Sequence, residues 1–397
     1  MPIRVQGVHA VSDQPPDSAR QPGAMSGRDP QEPHWTVTRL ELFFDLVSVV
    51  AMGQAVASLH HAIIEDHVLE GVAGYAAAFF AIWWAWVNWT WFSSAFDRDD
   101  TIYRISAFVQ MFGTLVLAAG VVRAFEGDFA IAVGGYAIMR FALAGQWLRA
   151  AATNPGMRLM ALRFAAGIAG VQILWIARLA VPGVWAGVAF VLLCAVELAI
   201  PWWAERERIT PWHPRHIAER YMLFSVIVLG GTVFTSMIEV GSGMTAGTPF
   251  LVMVLVGVSG LAIVCSMWWL YNARPAHRLL YDNRQAFIWS YGHYFVFASI
   301  AAFGAGFAAV VDLKIGPLSD FPVVAVRWTV AIPVALFLLS VWFVHIRPHR
   351  PRSAHSASYL VAALLILLVV FTPTPLELTA LIMIGAVFAT ELTRGDP

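Results

Sequence analysis

The stretch TRLELFFDLVSVVAMGQAVASLHH, from Thr38 to His61, marks the point where a polar N-terminal region becomes an apolar sequence. A helix needs about 20 mostly apolar residues to cross a bilayer, and this stretch has that length. Arg39 and Glu41 stand at its start, and Asp45 follows one turn further in. A carboxylate inside a membrane helix must face the protein, find a partner or take up a proton. Asp45 is therefore a candidate functional residue.

The composition of the whole chain is that of an integral membrane protein. Of 397 residues, 59% are hydrophobic and 13% charged, and the mean hydropathy is +0.68. These values lie outside the range of soluble domains. Lys+Arg and Asp+Glu balance at 25 each, so net charge gives no reason to expect a nucleic-acid partner. Cys194 and Cys265 lie in separate apolar segments, which excludes a disulfide framework.

Apolar runs predict an all-α integral membrane protein with about twelve transmembrane helices. The last two runs are short, and they form either thin spans, which we favour, or a re-entrant hairpin. Most of the 25 Lys and Arg residues fall on one side of this alternation, which predicts that both termini are cytoplasmic in a bacterial inner membrane. The runs lie at roughly 40–60, 72–95, 103–125, 129–151, 160–180, 183–203, 220–240, 248–272, 286–311, 322–345, 357–372 and 376–392.

The chain also resembles itself at a spacing of about 180 to 190 residues. RLELFFDLV from Arg39 aligns with RYMLFSVIV from Arg220, and Arg140 aligns with Arg327, but Val226 stands where the first copy has Asp45. Six spans in each half give both copies the same orientation, which is a parallel repeat. The predicted organisation is a disordered cytoplasmic tail (1–37), a first six-helix repeat (38–204), a cytoplasmic linker (205–219), a second repeat (220–393) and a short tail (394–397).

Charged residues inside the first repeat predict an ion pair. Arg140 lies near the middle of the fourth run, where an unpaired guanidinium costs at least ~2.5 to 3.5 kcal/mol. We expect it to bridge to Asp45 or to Glu197, because a carboxylate offers it bidentate geometry. For Asp45 the candidate partners are Arg140 and Arg39. Two interpretations of Asp45 stay open, a structural ion-pair network and a site for a conducted ion or proton.

The run WWAWVNWTWFSSAFDRDD, from Trp83 to Asp100, closes the second predicted span. Its tryptophans favour an aromatic belt at the membrane interface, although polar Asn88 indicates that part of the run packs inward. Asp97, Asp99 and Asp100 either coordinate a cation through oxygen or, as we favour, form a solvated ion-paired turn. The further candidate residues are His60 and His61 near the outer face, His293 in the ninth run and Arg327 in the tenth.

Several of these motifs together resemble the bacterial low temperature requirement A family. They are the LELFFDLVSVVAMGQAVASLHH and WWAWVNWTWFSSAFDRDD stretches, YAIMR at Tyr136–Arg140, HIAERYMLFSVIVLGG at His216–Gly231 and YGH at Tyr291–His293. The family's pattern has an aromatic residue where this chain has Ser48 and a glutamate where it has Gly231. The resemblance covers the chain after residue 37 and implies a polytopic membrane fold without specifying a reaction.

Three functions are weighed against these observations. The first is transport of an ion or small solute past Asp45, His60, Asn88 and Arg140. The second is a structural or regulatory role, in which polar residues hold the helices together and arginine-rich loops contact anionic lipid or a protein partner. An enzyme is last, because no acid–base or nucleophile arrangement is present. No ligand spacing predicts a metal or cofactor, and the expected partners are the bilayer and, as a further possibility, a second copy of the chain.

Overall fold

The computed structural model describes Met25, Gly27 and residues 36–96, 98–280, 282–316, 323–349 and 353–393. The regular secondary structure of these residues is helical throughout. Most of the predicted tail over 1–37, Asp97 and residues 394–397 lie outside the described part. Within the tail, Met25 is buried and its backbone N–H donates to Thr153 Oγ1 at 3.0 Å.

The described chain forms α-helices that we number α1 to α12. Short 3-10 turns lie at Pro155–Met157, Ala276–Leu279 and Arg347–His349, and a π-helical turn at Trp342–Ile346 follows the tenth helix. In chain order the helices are Arg39–Ile64, Val68–Ala95, Thr101–Phe125, Ala130–Thr153, Arg158–Arg178, Val184–Ala204, Pro214–Thr245, Phe250–Tyr271, Asn283–Ile315, Val323–Val341, Ser353–Val369 and Pro375–Thr393.

Ten helical segments in the described ranges are long and apolar enough to cross a membrane. Two predicted spans fall outside that set. Helix α4 has the length, but Arg140 and Gln146 interrupt its apolar sequence. Helix α11 has 17 residues, fewer than the ~20 of a typical span. The all-helical, multi-pass membrane architecture is thus confirmed.

Helix α1 begins where the sequence provides a capping box. The Thr38 side chain accepts from the backbone N–H of Glu41, and the Glu41 side chain accepts from the backbone N–H of Thr38. Such reciprocal bonds satisfy donors that the first turn of a helix leaves open. Glu41, Asp45 and Ser48, which are spaced to share one face of α1, are buried, while Phe43 and Leu46 on the other face are exposed. Helix α1 therefore turns its charges toward the protein.

The tryptophans of α2 are buried, contrary to the aromatic-belt interpretation. Trp83, Trp84, Trp86 and Trp89 are each at most 1% exposed. Their rings pack on one another and on α1, α7 and α9, as in the stacked pair of Trp89 and Phe44. Large rings that each carry one N–H donor can fill a membrane core and still reach a buried acceptor. The C-terminal half of α2 is consequently buried in the protein interior.

Helix contacts follow the same order in both parts of the chain. Helix α1 contacts α2 and α3, and successive contacts join α3 to α4, α5 and α6; α7 contacts α8 and α9, and successive contacts join α9 to α10, α11 and α12. The two groups meet where α1 packs on α7 and α9, with α2 beside them. Small residues permit the closest approaches: a Cβ on Gly306 would lie 2.1 Å from the carbonyl oxygen of Thr329.

Candidate functional site

Four titratable residues at the contact of α1 with α7 form what we call the Arg220 cluster: Glu41, Asp45, His216 and Arg220. Arg220 Nη1 lies 3.0 Å from Glu41 Oε1, and Nη2 lies 2.5 Å from Asp45 Oδ1. His216 Nε2 lies 3.1 Å from the same oxygen of Glu41. All four side chains are at most 4% exposed. One guanidinium thus bridges two carboxylates that stand one turn apart on α1.

Helix α2 supplies the neutral contacts of the Arg220 cluster. Trp86 Nε1 donates to Asp45 Oδ1 at 2.7 Å, and Ser93 Oγ donates to Glu41 Oε1 at 2.9 Å. The Arg220 guanidinium carbon lies 5.0 Å from the ring centre of Trp89, within cation–π range. Asp45 Oδ2 is buried and has no hydrogen-bond partner among the described residues. One carboxylate oxygen in the cluster is therefore still able to accept a proton or a cation.

The predicted partners of Asp45 were wrong. Arg39 is exposed at the first residue of α1, and its separation from Asp45 is not the i, i+3 or i+4 spacing that brings helical side chains together. Arg140 pairs elsewhere. The partner is Arg220, the residue that aligns with Arg39 in the predicted internal repeat. The alignment therefore contained the signal, because α1 and α7, which carry the two aligned stretches, contact each other.

A second buried group, the Glu197 cluster, is formed by Trp84, Tyr136, Arg140, Trp175 and Glu197. Glu197 Oε2 accepts from Arg140 Nη2 at 2.7 Å and from Trp84 Nε1 at 2.9 Å. Its Oε1 accepts from Tyr136 Oη at 2.8 Å and from Trp175 Nε1 at 3.3 Å. Of the two predicted partners of Arg140, the structure shows Glu197. Helices α2, α4, α5 and α6 thus converge on one carboxylate.

A cleft lies beside the Glu197 cluster. Its wall combines residues of α2, α4, α5, α6 and α9 with the segment after α6: Trp84, Val87, Asn88, Trp91, Trp147, Phe164, Pro201, Glu205, Thr210, Asn283, Phe287, Ser290 and Tyr291. Trp84 belongs to the Glu197 cluster. On the other side, Ser290 Oγ and Trp91 Nε1 lie 2.5 and 3.3 Å from the hydroxyl of Tyr221, which follows Arg220 in α7. A hydrogen bond from Trp84 therefore connects the cleft wall to the Glu197 cluster. The contact with the Arg220 cluster passes through the ring of Tyr221, which packs on Trp86.

Comparison with known proteins agrees with this architecture. A family model described as bacterial low temperature requirement A protein matches residues 36–390, which is most of the chain. The chain belongs to this family. It is also similar to a protein of Rhizobium meliloti (strain 1021) described as uncharacterized, with 31% identity over 245 residues that make up 58% of this chain and 57% of that protein. The match therefore spans just over half the length of that relative.

In this member of the low temperature requirement A family, His293 belongs to a third polar group, which the sequence did not predict. His293 Nε2 lies 3.1 Å from both His345 Nε2 and Tyr271 Oη, and its Nδ1 donates to the backbone carbonyl of Trp289 at 2.6 Å. The π-helical turn Trp342–Ile346 carries His345, and such turns are frequent at functional sites. In the sequence, the YGH motif indicated His293 alone and gave no indication of its partners His345 and Tyr271.

The remaining intramembrane candidates lie apart from the cleft, except Asn88. Asn88 lines the cleft, and its Nδ2 donates to the carbonyl of Trp84 at 2.8 Å. His60 Nε2 lies 2.7 Å from Asp312 Oδ2 across α1 and α9, and exposed His61 contacts Glu65 of its own helix at 3.2 Å. These two histidines are near the other end of α1, so one site does not include all predicted residues.

Arg327 does not belong to the cleft either. Its Nη1 donates to the backbone carbonyls of Val370 and Thr372 at 3.2 and 2.9 Å. These carbonyls lie at the C-terminal end of α11, where a helix leaves acceptors open and its dipole favours a cation. Arg327 therefore stabilises a helix end.

The acidic turn before α3 forms ion pairs. Both carboxylate oxygens of Asp99 accept from Arg104, at 2.5 and 2.6 Å, and both oxygens of Asp100 accept from Arg149. Asp100 also caps α3 by accepting from the backbone N–H of Tyr103 at 2.9 Å. Hydrogen bonds from Arg104 and Arg149 lower the pKa values of Asp99 and Asp100 respectively. Of the two interpretations of this turn, the structure shows the ion-paired one for its described residues.

Proposed function

We propose that this protein moves an ion or a small solute across the membrane, using the cleft and the Arg220 cluster. One observation carries the proposal: a cleft lined partly by polar groups is hydrogen-bonded to the Glu197 cluster through Trp84. Its wall also bonds to Tyr221, whose ring packs on the Trp86 that donates to Asp45. Ionisable groups inside a membrane bundle are costly and commonly mark ion or substrate paths. A solute bound in the cleft is then able to influence the charged groups of the two clusters. The charged groups are in turn able to influence how the solute binds.

The charge of the Arg220 cluster supports a cation or proton as the moving or coupling species. Glu41 and Asp45 share the single guanidinium of Arg220. A proton on His216, which lies 3.1 Å from Glu41, would balance the second carboxylate, and without that proton the four groups carry one negative charge in excess. A buried excess charge is unfavourable, and like charges in one site disfavour full ionisation of both. A bound cation or proton removes the excess, and the unpartnered Asp45 Oδ2 offers a place for it.

The proposal includes an arrangement of two parallel six-helix repeats with both termini in the cytoplasm of a bacterial inner membrane. The matching order of helix contacts in the two groups supports the repeat. The concentration of arginines on one side supports the orientation. In this arrangement α4 and α11 also cross the bilayer, and the Arg220 cluster lies in its cytoplasmic half. The proposed partners are lipids and the transported species, and we propose no catalytic activity.

A structural role is the second candidate, and the Glu197 cluster favours it. Four donors satisfy the two oxygens of Glu197, including the cation that balances its charge. A carboxylate bonded in this way has little capacity left for a passing ion. In the structural alternative the Arg220 cluster plays the same part, and both groups fix the positions of helices without transport.

Flux through liposomes that contain the purified full-length chain separates the two candidates. Proton, sodium and potassium flux is measured for the wild type and for Asp45→Asn. In this variant Glu41 and Arg220 remain as a one-to-one pair, so we expect the helices to assemble normally. The transport proposal predicts that flux falls at least about tenfold, since the site for the excess charge is lost.

Asp128→Asn is the matched control, because Asp128 is exposed at the turn before α4 and contacts Arg123 rather than the cleft. We expect this variant to keep wild-type flux. Absence of flux for all three ions and for the solute class named below would refute the transport proposal and favour the structural one. Equal flux in wild type and Asp45→Asn would remove Asp45 from the mechanism.

A further inference from the structure

Glu205 is a carboxylate in the cleft wall, and none of the described residues gives it a cationic partner. It follows the last residue of α6. Its Oε1 accepts from Thr210 Oγ1 at 2.5 Å, and its Oε2 accepts from Asn283 Nδ2 at 2.8 Å. Both donors are neutral, and no cationic group among the described residues acts on Glu205. Burial raises the pKa of this carboxyl, so a cation placed beside it would remove an unfavourable state.

The surface around Glu205 is mainly aromatic. Trp91, Phe287 and Tyr291 line the same cleft, and the ring centres of Phe287 and Tyr291 are 5.6 Å apart at a steep interplanar angle. The faces of such rings attract cations, and their apolar area favours carbon substituents. A single carboxylate beside several rings is chemically suited to a positively charged, partly apolar molecule.

Other ligand classes fit this wall less well. An anion would meet the Glu205 carboxylate, and no cation stands among the described residues of the cleft wall to offset it. A hard metal ion requires about six oxygen ligands, whereas most of the cleft wall is aromatic or aliphatic. An uncharged apolar molecule would leave the charge of Glu205 unbalanced. An organic cation satisfies both the carboxylate and the rings.

We infer that the cleft binds an organic cation, with its ammonium group at Glu205 and its carbon substituents on Trp91, Phe287 and Tyr291. The inference rests on the proposed transport function and names the substrate class for it. Asn283 and Thr210 position the carboxylate. Ser290 and Trp91 also contact Tyr221. An occupant of the cleft is therefore linked to Asp45 through Tyr221 and then Trp86, whose ring packs on Tyr221 and whose Nε1 donates to Asp45.

Binding of choline to the detergent-solubilised full-length protein tests this inference. Titration calorimetry measures choline, its uncharged carbon isostere dimethylbutanol, and potassium chloride as a competitor. For Glu205→Gln we expect choline binding to weaken about tenfold or more, because a partly buried charge partner is removed. For Phe287→Leu we expect a weakening of about threefold, which corresponds to loss of one cation–π contact.

Glu207→Gln is the matched control. Glu207 lies on the same segment, contacts Arg163 at 2.7 Å and is outside the cleft. We expect choline binding within about twofold of wild type, since exposed ion pairs contribute little. Each variant is first compared with wild type by elution profile and melting temperature. If Glu205→Gln fails to fold, Asn283→Ala provides a second measurement, because it removes a hydrogen-bond donor to Glu205 and leaves the charge in place.

Any of three results with the wild type would overturn the inference: no saturable choline binding, equal binding of dimethylbutanol, or displacement of choline by potassium at equal concentration. Unchanged binding in Glu205→Gln would overturn it as well. Saturable, Glu205-dependent choline binding without flux of any cation in liposomes would retain this site and refute transport. Ion flux that depends on Asp45, in a protein that does not bind choline, would support transport and refute the organic-cation site.

Discussion

Removal of one charge from the Glu197 cluster is expected to show how strongly the first six helices depend on it. Glu197→Gln leaves the guanidinium of Arg140 buried beside a neutral amide. Arg140 and Glu197 are 1% and 0% exposed, so solvent does not screen the change. We expect the free energy of unfolding to fall by about 3 to 5 kcal/mol, as for other buried pairs that lose one partner.

The companion variant Arg140→Met tests the other charge. Glu197 then keeps the hydrogen bonds from Tyr136, Trp84 and Trp175, which replace part of the lost stabilisation. The free energy of unfolding is therefore expected to fall by about 3 kcal/mol, the lower end of the range given for Glu197→Gln. The double variant Arg140→Met/Glu197→Gln contains neither charge, and its amide oxygen can still accept from Tyr136 and Trp175, the two donors to Oε1 of Glu197.

The double variant is expected to lose only about 2 kcal/mol, so the two substitutions couple by several kcal/mol. Unfolding is followed in mixed micelles by tryptophan fluorescence, with wild type and the three variants measured in one detergent. Additive losses in the double variant would refute the reasoning, because they would show that neither charge depends on the other. A loss below about 1 kcal/mol for Glu197→Gln would refute the claim that the pair is fully desolvated.

Two further predictions concern close packing and the acidic turn. Gly306→Ala should lower the melting temperature, because the new Cβ would lie 2.1 Å from the backbone oxygen of Thr329. Gly145→Ala, whose Cβ would have no atom within 4 Å, should be neutral or stabilising by about 0.5–1 kcal/mol. Equal effects of the two variants in a thermal melt would contradict this. The pKa values of Asp99 and Asp100 are depressed in the folded state, so their stabilisation is present above the ordinary carboxyl range and is lost as pH falls below it. Asp100→Ala, which also removes the α3 cap, should cost about 1 kcal/mol more than Asp99→Ala at pH 7, and the difference should shrink in melts near pH 3; a constant difference would point to the cap alone.

The sequence was sufficient for the membrane class, the helical fold and most helix positions, because long apolar runs have few alternatives in a bilayer. It was also sufficient to show that Arg140 needs a carboxylate. It left Asp45 and Glu197 as equal choices, since the choice depends on which helices are neighbours and which faces meet. Those contacts connect residues far apart in the chain, and hydropathy does not record them.

The site was predicted less well than the fold, for identifiable reasons. His345 and Tyr271 stand near the ends of their helices, where a polar residue is unremarkable in sequence, and only the packing of α8, α9 and α10 brings them to His293. Glu205 belonged to a predicted cytoplasmic linker, so its place in the cleft wall was unexpected. The tryptophans of α2 were ambiguous, because the same amphipathic ring suits an interface and a buried acceptor.

The bridge from Arg220 to Asp45 sets an order of events during synthesis. The two residues are 175 positions apart, and α1 leaves the ribosome long before α7. At about 5 to 20 residues per second, translation of that interval takes about 9 to 35 seconds. Throughout this time Arg220 has not been synthesised. The carboxylates of Glu41 and Asp45 in the first helix therefore have no guanidinium to pair with. Helix α1 therefore reaches its final position in the bilayer only after α7 has been synthesised.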